Sequence, residues 1–168
     1  LYDMKNDCVG WLSISDSKVD YHLMQRPDDE EYYLDRDFQE NYSATGSLIL
    51  DNASDIGTGT RANNYADGTM PSTNLIIHGH NMKNGDMFGN LDKYRQQEYE
   101  ATHNIIKLST LYEEREYEVM AVCLSQVFLK TQTDVFKYYK FFEAYSEEEF
   151  NDFYSNITNM ALFDNGVE

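Results

Sequence analysis

The sequence predicts a mainly β domain, either a closed barrel or a sandwich, with short helices between its strands. Three observations lead there. Short apolar segments alternate with polar positions and end at turn residues, as strands do. The clearest helical periodicity is confined to one capped stretch near the end. Finally, 168 residues with 41% hydrophobic and 14% aromatic content are enough for a single buried core.

The elements follow in order. VGWLSI, residues 9–14, reads as a strand, and KVDY after the Ser-Asp-Ser turn as a second. EEYYLDRDF, residues 30–38, predicts a short helix that packs Tyr33, Leu34 and Phe38 inward. GSLIL reads as the next strand. Residues 51–73 are rich in Gly, Asn, Asp, Ser and Thr and predict a long exposed loop. An apolar run, Leu75-Ile76-Ile77, then delivers His78-Gly79-His80 to a polar turn, after which Met87, Leu91 and Tyr94 fall at helical spacing. IIKLSTL, an acidic turn YEEREY and EVMAVCLSQVFL predict a long antiparallel hairpin over residues 105–129. Residues 146–160 carry a capping box, Ser146 with Glu149, and place Phe150, Phe153, Tyr154 and Ile157 on one helical face. With no internal repeat and no dividing linker, residues 1–168 read as one domain.

Composition narrows the partners. With 30 acidic against 13 basic residues, the formal net charge is -17, which weighs against a nucleic-acid surface because phosphate neutralisation needs clustered cations. No apolar run approaches a membrane span. The glycines of residues 51–73 lack the GK[ST] and following helix of a phosphate cradle. Two cysteines, Cys8 and Cys123, do not make a disulfide framework. Cys123 lies in a run apolar on both faces and reads as a buried core residue rather than a nucleophile.

The histidine pair holds the chemistry. In an extended strand His78 and His80 point to the same side, so they could converge on a metal ion, although a third ligand is needed. A histidine held at a strand end is equally suited to general acid and base work, and Gly79 lets the backbone approach its neighbours closely. A structural role is the third reading. The residues alone leave these open.

Residues 79–88 supply more. Gly79, His80, Asn81, Met82, Lys83, Gly85, Met87 and Phe88 match, in order, the Y-G-H-N-M-K-x-G-x-M-F pattern of class B sortases, the cysteine transpeptidases that fasten surface proteins to Gram-positive cell walls. NDCVGWLSI, VDYHLMQ, YYLDRDF, GSLILD, YEVMAV and SEEEFNDFYSNI resemble further segments of that family, so nearly the whole chain is covered. The resemblance implies the sortase closed β-barrel with short flanking helices and no cofactor. His80 is then the catalytic histidine, with His78 and Leu34 beside the substrate peptide. The implied partners are a sorting-motif peptide of a secreted protein and, as acceptor, an amine of a peptidoglycan precursor or a pilin. The implied location is the outer face of the cell membrane, with an anchoring segment before residue 1.

Three departures stand out. His78 takes the place of a tyrosine, and His22 that of a common proline. The family's T-L-x-T-C strand, which carries the nucleophile, and the strand bearing its arginine do not occur in residues 1–168. The expectation is therefore a C-terminally incomplete barrel without its last two strands, inactive by itself. A non-catalytic peptide-binding or strand-pairing module and a metal-binding domain using His78 and His80 are the alternatives.

Overall fold

The computed structural model describes residues 7–126, 128, 129 and 131–167. Six strands form one sheet: β1 (Cys8–Ile14), β2 (Asp20–Met24), β3 (Leu48–Leu50), β4 (Ile77–His78), β5 (Ile105–Thr110) and β6 (Glu114–Glu118). Their order is β4-β3-β2-β1-β5-β6, and every pairing is antiparallel except β2 with β3. Two helices, α1 (Gln97–Glu100) and α2 (Glu147–Asn159), and four 3-10 turns complete the described elements. The sheet curls around its core as a half-barrel, with β4 and β6 as its edges among the described residues. The mainly β prediction holds, but these residues do not close the ring.

Side-chain alternation builds the core on both faces of the sheet. Leu12, Ile14, Leu23, Leu48, Leu50 and Leu108 join Val19, Met87 and Tyr94 in one cluster. Met24 and Ile49, the alternate residues of β2 and β3, join Cys8 and Tyr33 in a second. A register shift between Cys8 and Gly10 carries Cys8 out of step with Leu12 and Ile14. Burial on both faces explains why β3 reads as an unbroken apolar run rather than an alternating one.

The second cluster is covered by the segment read as a helix over residues 30–38. That segment forms only a 3-10 turn, Tyr32–Leu34, so its side chains do not share one face. Tyr33 is buried and its hydroxyl donates to Asp7 Oδ2 at 2.9 Å, while Leu34 points outward at 39% exposure and Phe38 is half-buried. The inward packing expected of Leu34 is corrected accordingly. Gly46, at φ 58°, lies so close to the turn that a Cβ would sit 2.3 Å from the Leu34 carbonyl oxygen. His22, in place of the common proline, stacks on Phe38 at 4.2 Å and meets Trp11 edge-on at 4.4 Å. Burial lowers its pKa.

Two further expectations change. The hairpin ends at Glu118 rather than running to residue 129, and of YEEREY only Tyr112 and Glu113 stay in the turn, while the rest forms most of strand β6. The acidic residues of β6 face solvent while Arg115 between them is buried, so composition concealed a strand. Beyond β6 the chain runs against the end of α2: Leu162 N–H donates to the Val122 carbonyl at 2.8 Å, and Cys123 pairs with Ala161. Within residues 51–73 the predicted exposed loop has a closed base. Ser54 and Ser72 are buried; Ser72 Oγ accepts from Asp55 N–H at 2.8 Å and Ser54 Oγ from Ile76 N–H at 3.0 Å.

Helix α2 starts as predicted, with Ser146 Oγ accepting from Glu149 N–H at 3.2 Å. The Glu149 carboxylate in turn accepts from Tyr145 N–H at 2.7 Å, one residue before the cap. Its apolar face meets Phe141, which stacks on Phe153 at 4.1 Å, whereas Phe150, one turn earlier, is left 44% exposed.

Arg115 ties the hairpin to the long loop. Its guanidinium donates to Glu113 Oε1 at 2.5 Å and to the Ile56 carbonyl at 2.8 Å, and Glu113 Oε2 accepts from Arg61 N–H at 2.7 Å. The Arg115 side chain is 1% exposed, so its removal leaves buried acceptors unpaired. Arg115→Ala lowers the unfolding free energy by about 3 kcal/mol, read from urea denaturation.

Asp67 holds the loop tip. It accepts from Thr60 N–H, Thr60 Oγ1–H and Asn63 Nδ2–H, at 2.7, 2.7 and 2.6 Å. The Asn63 bond foremost, then those from Thr60, hold its pKa down at about 2. A carboxyl depressed in the folded state contributes its stabilisation above the unfolded pKa of about 3.9 and loses it on acidification through the folded value. Hydrogen exchange protection at Thr60 is therefore full above about pH 4 and falls away towards pH 2; Asp67→Asn removes that pH dependence.

Candidate active site

The segment from Gly79 to Gly89 folds back on itself, and each residue type in it answers a steric demand. Gly79 faces the core: a Cβ there would lie 2.5 Å from Leu48 Cδ2 and 2.7 Å from the Phe88 ring. Phe88 N–H donates to the His80 carbonyl at 2.9 Å, and Asn81 bridges Met87. Gly85, at φ 81°, closes the turn through its N–H to the Met82 carbonyl at 2.9 Å. Gly89 completes the closure, since a Cβ would fall 2.0 Å from that same carbonyl oxygen.

Met87 is the strained member. Its φ of 50° and ψ of -127° are unusual for a residue with a Cβ, and its side chain is 3% exposed in the main core. Met87 N–H donates to the Tyr21 hydroxyl at 2.9 Å, which anchors the strained unit to β2. Lys18 adds a second tie, reaching the Asn84 carbonyl at 2.9 Å and Asp86 Oδ1 at 3.1 Å. Hydrogen bonding from Lys18, ahead of that from Asn84, lowers the Asp86 pKa. Asn81 and Met82 thus shape the turn, and Tyr21 and Lys18, far from it in sequence, are joined to it only by the fold.

His80 leaves this fold-back half-buried, its ring without a hydrogen bond or ion pair among the described residues. Its backbone is fixed by the fold-back, and its ring nitrogens are left open to a ligand. His78 is held differently. It pairs with Ile49 of β3, and its Nε2 lies 3.1 Å from Asp51 Oδ2. Leu34 stands exposed on the 3-10 turn packed over the residues preceding β3. The three residues singled out from sequence therefore belong to β4, its exit and the segment over β3.

Neither cysteine is activated. Burial, with no offsetting charge, pushes the Cys123 thiol up, and its Sγ donates to the Ile157 carbonyl at 3.5 Å. Cys123 and Asn81 line one largely apolar cleft of about 390 Å³. Cys8 is buried, and desolvation raises its thiol too. Among the described residues no group of three or more His, Cys, Asp or Glu side chains is placed to share an ion, so the two-histidine metal reading lacks its third ligand.

No family model matches the chain. Sortase B of Listeria monocytogenes is 29% identical over all 168 residues, and the chain spans 60% of that protein. Sortase B of Staphylococcus aureus is 25% identical over 121 residues, which are 72% of this chain and 44% of that protein. Among solved structures, sortase B from Listeria monocytogenes superposes with a TM-score of 0.75 at 27% identity, over 96% of this chain and 81% of that one. A Bacillus anthracis protein similar to sortase B gives 0.78 at 26% identity, over 99% of this chain and 68% of that one. The match in fold thus runs from β1 through α2 and includes the fold-back around His80. In sequence along its whole length, and in fold, the chain is a relative of the class B sortases.

Proposed function

We propose that the domain is the histidine-bearing part of a sortase B-like cysteine transpeptidase acting at the outer face of a Gram-positive cell membrane. The observation that carries this reading is the fixed turn at the exit of β4, which presents a His80 imidazole that has no hydrogen bond or ion pair among the described residues. In the reaction, a cysteine thiolate attacks the threonine carbonyl of a sorting motif and forms a thioester, releasing an amine. His80 protonates that amine, then takes a proton from the incoming amino group as it resolves the thioester. An arginine stabilises the oxyanion. Leu34 and His78 flank the bound peptide. Peptide and amine ligands fit relatives of this fold: one solved structure is a Staphylococcus aureus sortase B–substrate complex and another a sortase B complexed with triglycine.

The family's T-L-x-T-C nucleophile and its arginine are not among residues 1–168, and Cys123, which is half-buried rather than the core residue expected, has no neighbouring positive charge to lower its thiol pKa. Residues 1–168 alone are therefore expected not to turn over a quenched peptide containing Thr-Gly or Thr-Asn. When the thiolate is supplied by a longer protein, His80→Ala is expected to lower kcat/KM at least ~100-fold with little change in thermal midpoint. Turnover by residues 1–168 that vanishes in Cys123→Ala would instead make Cys123 the nucleophile.

A further inference from the structure

We infer that Asp51 is a positioning residue for His78, fixing that imidazole as a hydrogen-bond acceptor for the peptide bound along β4. This rests on the peptide-transfer reading above and adds a recognition element to the same groove. The argument begins with the tautomer. A carboxylate accepts hydrogen bonds and donates none, so the 3.1 Å contact between Asp51 Oδ2 and His78 Nε2 requires the proton on Nε2. In the uncharged form of the ring this tautomer leaves the lone pair on Nδ1.

Asp51 is unusually well fixed for a residue that ends a strand. Its N–H donates to the Ile76 carbonyl at 2.9 Å, and its carbonyl accepts from Gln25 Nε2 at 3.1 Å. Its other carboxylate oxygen accepts from Ala53 N–H at 2.9 Å, and its side chain is only 15% exposed. The pairing of Ile49 with His78 and Leu50 with Ile77 fixes the distance between the two backbones. His78 itself remains 46% exposed, and its ring has no second partner among the described residues. One edge of the imidazole is thus immobilised while the other is open to a ligand.

The open edge defines the ligand chemistry. An Nδ1 lone pair takes an N–H or O–H donor, such as a peptide amide or an amide or hydroxyl side chain. A tyrosine, which the class B pattern has at this position, offers a hydroxyl that both donates and accepts and owes nothing to residue 51. The histidine narrows the choice to donors and makes it depend on Asp51.

The test is a double-mutant cycle on peptide affinity in residues 1–168, read by fluorescence anisotropy with labelled peptides containing Thr-Gly or Thr-Asn. Asp51→Ala weakens binding about five-fold in the parent and leaves the affinity of His78→Tyr unchanged. A purely structural role for Asp51 would lower affinity equally in both backgrounds and would overturn the proposal, as would equal affinity of the parent and Asp51→Ala. Proton NMR gives an independent reading. The parent shows a slowly exchanging His78 Nε2–H resonance that Asp51→Ala loses, and its absence from the parent overturns the pairing. If neither peptide binds any of the proteins while that resonance is present, the peptide-transfer reading fails and takes the recognition role with it, although the pair itself stands.

Discussion

Three residues of β3, buried on both faces, hold the two halves of this site in register. Leu48 and Leu50 seal the main core, and Leu48 is the surface against which Gly79 is pressed, so the exit of β4 sits where only a glycine fits. Ile49, between them, faces the other way into the cluster under Tyr33 and sits across from His78. The strand therefore couples both histidines to a rigid scaffold, His80 through the packing of Gly79 and His78 through the ladder. Because β2 and β3 run parallel, the segment joining them must cross over the sheet, and this brings Tyr32, Tyr33 and Phe38 over its second face.

The turn after His80 shows how a short motif can be a packing solution rather than a set of reactive groups. Most of its residues serve closure: two glycines avoid clashes, a third takes a positive φ, Met87 bears strain and Phe88 returns a hydrogen bond to His80. Strain of this kind persists only where the surroundings over-determine it. Here the buried Met87 side chain and the Tyr21 hydroxyl supply that constraint. The result is a backbone tied on both sides of the turn and a His80 imidazole with no hydrogen bond or ion pair among the described residues.

The edges of the half-barrel are guarded by different means. β4 is two residues long, too short to template another strand, while β6 presents Glu114, Glu116 and Glu118 to solvent. The same carboxylates that make the chain so acidic thus discourage edge-to-edge association. The one cation within β6, Arg115, turns inward and holds the long loop instead.

Much was legible before any fold was known. The β character and the capped helix at residues 147–159 follow from periodicity and turn chemistry, which are local properties of the chain, whereas the apolar run before the histidines pairs only over Ile77–His78. The matched residues from Gly79 to Phe88 carried the family resemblance, because steric demands at a tight turn leave few alternatives. What the sequence concealed were facts about partners distant along the chain. Leu34 faces outward because a 3-10 turn, not an α-helix, fits over β3; β6 is a strand because a buried arginine anchors an acidic segment. Asp51 meets His78 only through the pairing of β3 with β4, and Tyr21 meets Met87 only because the segment after β4 folds back against β2. Local propensity and motif are written in neighbouring residues, whereas the tautomer of one histidine and the strain behind another are set by contacts that exist only once the sheet has formed.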